Sequence, residues 1–178
     1  STLTGGSDAF IAQFKAAPNQ LTWCTYLGGS SSETGGGVAA FSNNVYFTGS
    51  TASSNFPRID PGGGAHMDTT FSGASDMFIT RFTSNGTMVW STFYGGSGTD
   101  DGLRCAYDSY GNIYISGSSN SGTLSIPLYC GLMPLWAFCA GCGAGARDNL
   151  LVCFNPNNWL FWNTGYYGGA DDYVMAGI

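Results

Sequence analysis

The feature that most constrains this chain is a quartet of short β-prone runs that recurs along it at a spacing of about 70 residues. The middle copy, Ser75 to Ser118, carries it most fully. Met77 to Phe82 is rich in β-formers, although it alternates poorly between apolar and polar. Asn85-Gly86 follows, a hairpin signal because both residues tolerate positive φ. Met88 to Tyr94 is the second run, and a Gly- and Asp-rich turn leads to the third, Leu103 to Tyr107. Asp108 to Asn112 then turns the chain into Ile113 to Ser116. None of these runs has an apolar period of 3.6 over the length of a helix.

The same order lies over the flanking sequence. Ser7-Asp8-Ala9-Phe10-Ile11 matches Ser75-Asp76-Met77-Phe78-Ile79, and Trp23-Cys24-Thr25-Tyr26-Leu27 matches Trp90-Ser91-Thr92-Phe93-Tyr94. A third copy starts at Arg147-Asp148 and runs through Trp162 and Tyr167. The chain thus divides into a first copy (1–57), a connector (58–74), a second copy (75–127), a Cys-rich connector (128–146) and a truncated third copy (147–178). Each copy is read as one blade. The expected fold is all-β, a partial β-propeller of four-stranded antiparallel blades with about two and a half repeats present. A closed ring takes about 4–8 blades. The chain is therefore expected to be part of a longer polypeptide, or to be completed by another chain.

Composition removes several classes. With five Lys and Arg against eleven Asp and Glu, the chain has no basic stripe, which argues against nucleic-acid binding. No apolar run approaches the roughly 20 residues of a membrane helix, so membrane insertion is not expected. Charged residues are only 9% of the chain, so Gly, Ser, Thr and Asn must keep it in solution. Six Cys and few Lys fit an oxidising, extracytoplasmic setting. Cys24, Cys105 and Cys153 lie inside strand-like runs and read as small buried apolar residues.

Taken as a set, Asp8-Ala9-Phe10, Trp23-Cys24-Thr25-Tyr26-Leu27-Gly28-Gly29, Thr48-Gly49, Phe56-Pro57 and Gly111-Asn112-Ile113-Tyr114 resemble the SBBP (seven-bladed-like) family of bacterial β-propeller repeats. The form is similar to that of Bacteroidota surface proteins exported by the type IX route. The resemblance implies a secreted or cell-surface protein and brings no shared enzymatic activity. Asn43-Asn44 stands where the family has Gly-Asn, and Leu128 to Ala146 lies outside the pattern.

Candidate chemistry is sparse. His66 is the single histidine and has no nucleophile motif beside it, so it reads as a loop residue and no catalytic residue is assigned. Cys130, Cys139 and Cys142 sit in one connector; a disulfide among them is preferred to a metal knuckle, since a second close Cys pair is missing. Asp100, Asp101, Asp171 and Asp172 follow Gly-Gly at matching places and are the candidates for calcium, the one cofactor considered. The preferred alternative is that they end strands and bond turn backbone. Trp23, Trp90 and Trp162 share one repeat position, as do Tyr26, Tyr94 and Tyr167, and both sets are expected in the core between blades, whereas Trp136, Trp159 and Phe161 fall outside that register and are the candidates for a contact surface.

The function expected is a non-catalytic extracellular module for adhesion or surface assembly, with the two connectors as contact surfaces. Its partners would be the remaining blades of the same polypeptide, other protein subunits or surface glycans. A secreted cargo or subunit of a larger export complex is one alternative. A carbohydrate-binding or hydrolytic propeller is the other.

Overall fold

The computed structural model describes residues 3–17, 19–122 and 147–167, the last eight by their backbone. Among these residues there are ten strands and no helix. They are β1 (Ala9–Phe14), β2 (Leu21–Leu27), β3 (Glu33–Phe41), β4 (Asn44–Thr51), β5 (Asp76–Thr83), β6 (Met88–Tyr94), β7 (Asp100–Tyr107), β8 (Ile113–Ser119), β9 (Asp148–Phe154) and β10 (Leu160–Tyr167). All pairings are antiparallel, in three sheets: β1-β2, β3-β4-β5-β6 and β7-β8-β9-β10. The all-β reading holds, and each complete sequence copy supplies four strands as expected.

The sheets are out of step with the sequence copies. Residues 1–57 are one copy but not one sheet: β1-β2 stand apart, while β3-β4 join β5-β6 of the next copy. β4 pairs with β5 along its whole length, from Asn44↔Thr83 to Thr51↔Asp76, although residues 52–75 lie between them. That excursion runs along the outer strand of the same sheet. Ile59 exchanges backbone hydrogen bonds with Ser91 on β6 (3.1 and 3.0 Å), and Trp90 Nε1 donates to the His66 carbonyl (2.8 Å). Phe71 and the Arg58 guanidinium both lie against the Phe93 ring. The 58–74 connector, expected as a contact loop, thus mostly closes the edge of β6.

Hairpin chemistry follows the sequence locally. Asn19, Gly86 and Asn158 occupy matching turn positions and all have positive φ (56°, 85° and 63°), so Asn does in two copies what Gly does in one. The β3-β4 turn differs from its counterpart. Positive φ falls on Ser42 there, and Phe41 pairs directly with Asn44, whereas Tyr107 pairs with Ile113 around a longer turn bent at Gly111.

Two cores separate the three sheets. Ala9, Ile11 and Leu27 of the first sheet meet Val45, Phe47, Phe78, Phe82 and Phe93 of the second. The opposite face of the second sheet carries Tyr46, Met77, Ile79, Trp90 and Tyr94, which meet Ile113, Ile115, Leu150, Val152 and Phe154 of the third. Both faces of β4, β5 and β6 are therefore buried, which is why Met77 to Phe82 lacks a polar alternation. Each Phe moved out of water here contributes roughly 1.5–3 kcal/mol. The repeated Trp leans on the next copy as expected: Trp23 on Phe82 (ring centroids 5.7 Å apart) and Trp90 on Phe154 (5.3 Å). The Trp162 side chain lies outside the described residues.

Candidate interaction surface and buried carboxylate pairs

The first sheet has one covered face and one bare one. Its register places Phe10 opposite Tyr26, Ala12 opposite Cys24 and Phe14 opposite Leu21, all on the outer face. Phe10 is 69% exposed, Phe14 65% and Tyr26 46%. Their counterparts one repeat later, Phe78, Phe82 and Phe93, are 0%, 2% and 0% exposed, because the first sheet lies on them. Position and residue type are alike in the two copies; only the presence of a sheet in front differs. The edge differs too. β5 is paired on both sides, by β4 and β6, whereas β1 has β2 alone among the described residues. The free edge and the bare apolar face adjoin, which gives one continuous surface fitted to another β element.

A second repeating feature lies where strands begin. Asp76 opens β5 and accepts a hydrogen bond from Ser72 N at Oδ2 (3.1 Å); its Oδ1 is buried and has no partner. Asp100 opens β7 and accepts from Gly96 N (2.8 Å) and Ser121 Oγ (2.8 Å). The two carboxylates meet over Gly95: a Cβ there would lie 2.7 Å from Asp76 Oδ1 and 2.9 Å from Asp100 Oδ2. One repeat earlier, a Cβ on Gly28 would overlap the carboxylates of both Asp8 and Glu33. Glu33 accepts from Gly29 N (3.0 Å) and Thr51 Oγ1 (2.6 Å), and Asp8 Oδ1 is again unpartnered. Asp148 opens β9 and has its own orphaned Oδ1. Burial pushes the Asp76 carboxyl up to about 7; the Ser72 hydrogen bond opposes this, and the charges of Asp100 and Asp68 reinforce it.

The residues singled out from sequence separate accordingly. Asp100 belongs to a buried pair, but its mate is Asp76 and not its neighbour. Asp101 turns to the other side of the strand and forms an ion pair with Arg147 at 2.7 Å. Both the turn-bonding role and the grouping of acids are therefore present, with different membership from the adjacent Asp-Asp reading. Among the described residues, no three His, Cys, Asp or Glu side chains converge on one point. Asp171, Asp172, Cys130, Cys139, Cys142 and Trp136 lie outside the described residues, as does the side chain of Phe161. Trp159 is 48% exposed, and its Nε1 donates to the Gly63 carbonyl at the tip of the connector (2.9 Å).

Cys105 and Cys153 are apolar packing residues, and burial pushes their thiols up to about 12 and about 11. They stay neutral and unreactive at physiological pH. Cys24 departs from the expectation of burial: it is exposed, since it lies on the bare face of the first sheet. His66 is half-buried against Tyr94 and Phe154, and its backbone ties the connector to Asn158 (2.8 Å). Tyr94 is in the core as expected, but Tyr26, expected there with it, is 46% exposed, because its side of the first sheet has no described sheet in front of it. The sequence showed neither the Phe10 and Phe14 surface nor the pairing of Asp76 with Asp100. The repeated Asp8, Asp76 and Asp148 were visible as an alignment column but carried no sign of their mates. No protein-family model matches this chain, and no curated protein matches it.

Proposed function

We propose that this chain is a non-catalytic SBBP-type repeat module, a section of a β-propeller that serves adhesion or assembly at the cell surface by docking a further copy of its own repeat. The observation that carries this reading is the contrast between Phe10 and Phe14, which are exposed, and Phe78 and Phe82, which are covered by the preceding sheet. The covering element in the second case is built from Ala9, Ile11, Leu27 and Trp23. A further copy would bring residues of the same kind to Phe10 and Phe14, and a strand pair of the β3-β4 kind to the free edge of β1. Adhesion and an extracytoplasmic setting are supported by the composition and the family resemblance.

Sedimentation of the purified chain at rising concentration tests the docking. Self-association is expected, weakened about tenfold or more by Phe10→Ser with Phe14→Ser. Maleimide labelling of Cys24 should slow as the chain associates. A chain that stays monomeric at every concentration, with Cys24 equally reactive throughout and equally reactive in the parent assembly, rules the reading out.

A further inference from the structure

The buried carboxylate pairs have a consequence separate from docking. We infer that the Asp76–Asp100 pair, and the Asp8–Glu33 pair one repeat earlier, each hold one calcium ion where the chain passes from one sheet to the next. The argument is geometric. Asp76 and Asp100 are 1% and 0% exposed, and both aim an oxygen at the space left by the missing side chain of Gly95. Asp76 Oδ1 has no donor to accept from. A buried carboxylate oxygen without a partner costs far more than a surface one, and a second carboxylate beside it adds repulsion. One repeat earlier Asp8 is only partly buried, but its Oδ1 is again enclosed and unpartnered beside buried Glu33, and an orphaned oxygen appears a third time at Asp148. A repeated cost of this kind calls for a repeated counter-charge. The charged groups acting on Asp76 are Asp100 and Asp68, both acidic, so the described residues supply no counter-charge there.

The chemistry of the donors selects the ion. They are hard carboxylate oxygens in a turn rich in Gly and Ser, with no imidazole or thiolate joining them among the described residues. Calcium accepts six to eight oxygens in irregular geometry, including backbone carbonyls and water, whereas magnesium needs a near-ideal octahedron and gives up its water reluctantly. Two carboxylates, with no third among the described residues, put the affinity in the weak class of extracellular modules, a Kd of about 0.1–1 mM. Such a site fills only where calcium is millimolar.

Calorimetric titration of the intact chain with calcium, at mildly alkaline pH after EGTA treatment, is the test. Binding in that weak range is expected. Asp76→Asn should remove about one equivalent, and Asp8→Asn with Asp76→Asn about two. At roughly ten times Kd, calcium should raise the Tm by about 5 °C over the EGTA-treated chain, and less in each variant. Asp101→Asn, whose partner is Arg147, should leave the stoichiometry unchanged. Three outcomes overturn the inference: no saturable heat, an equal Tm rise with magnesium at matched ionic strength, or unchanged stoichiometry in the double variant. In the first, the pair holds a shared proton instead. None of these readouts depends on association through Phe10 and Phe14.

Discussion

Asp76 and His66 illustrate how much a neighbour's position decides. Asp76 carries a carboxyl raised to about 7, chiefly by burial. In the unfolded chain the same group titrates near 3.8. The folded state therefore binds a proton that the unfolded state does not between those values, and in EGTA the contribution of Asp76 to stability falls as pH rises from about 4 to about 7. His66 acts in the opposite sense: burial lowers its pKa below 6.5, so its contribution is present above that value and is lost as pH falls through the folded one. The difference between wild-type and Asp76→Asn stability profiles isolates the first effect. The wild type should lose stability relative to the variant as pH rises through that window, and parallel profiles from denaturant titration would show that the carboxyl titrates normally.

Glycine sets how closely the elements approach. β3 and β7 are the first strands of their four-stranded sheets, and they lie backbone to backbone: a Cβ on Gly36 would overlap the Gly102 carbonyl, and one on Gly37 would sit 2.7 Å from Arg104 Cα. Each strand has an irregularity at the same repeat position, Gly36 between Gly35 and Gly37, and Leu103 between Gly102 and Arg104. Backbone cannot swing aside as a side chain can, so Gly36→Ala should cost about 2–4 kcal/mol in chemical denaturation. Gly122→Ala, with none of the described residues within 4 Å, should stay within about 0.5 kcal/mol of wild type. The quartet of strands was legible because its turns carry their own chemistry at Gly86, Gly111 and Asp108. The grouping of strands into sheets was not. β4 and β5 are neighbours in space with 52–75 looped out between them, and burial on both faces erased the alternation that would have marked an inner and an outer side. For the same reason Phe10 and Phe78 read alike, although one is bare and the other enclosed.

Across the molecule, coverage is graded, and stability should be graded with it. The second sheet has neighbours on both faces and a connector along β6. Among the described residues, the first sheet has two strands, one covered face and a free edge. Local opening there uncovers apolar surface across a single packed face, whereas opening the second sheet uncovers both of its faces. Hydrogen exchange in dilute solution should therefore find the amides of Ala9–Phe14 opening well before those of Asp76–Thr83, which should exchange only with global unfolding. Raising the concentration should bring the first sheet toward the protection of the second and leave Asp76–Thr83 unchanged. The comparison is internal to one chain and uses repeat-equivalent strands, so differences in intrinsic exchange are small beside the effect sought. If β1 is as protected as β5 in the dilute monomer, its exposed ring faces are not a missing interface. The order of opening would then have to be set by something other than what lies against each sheet.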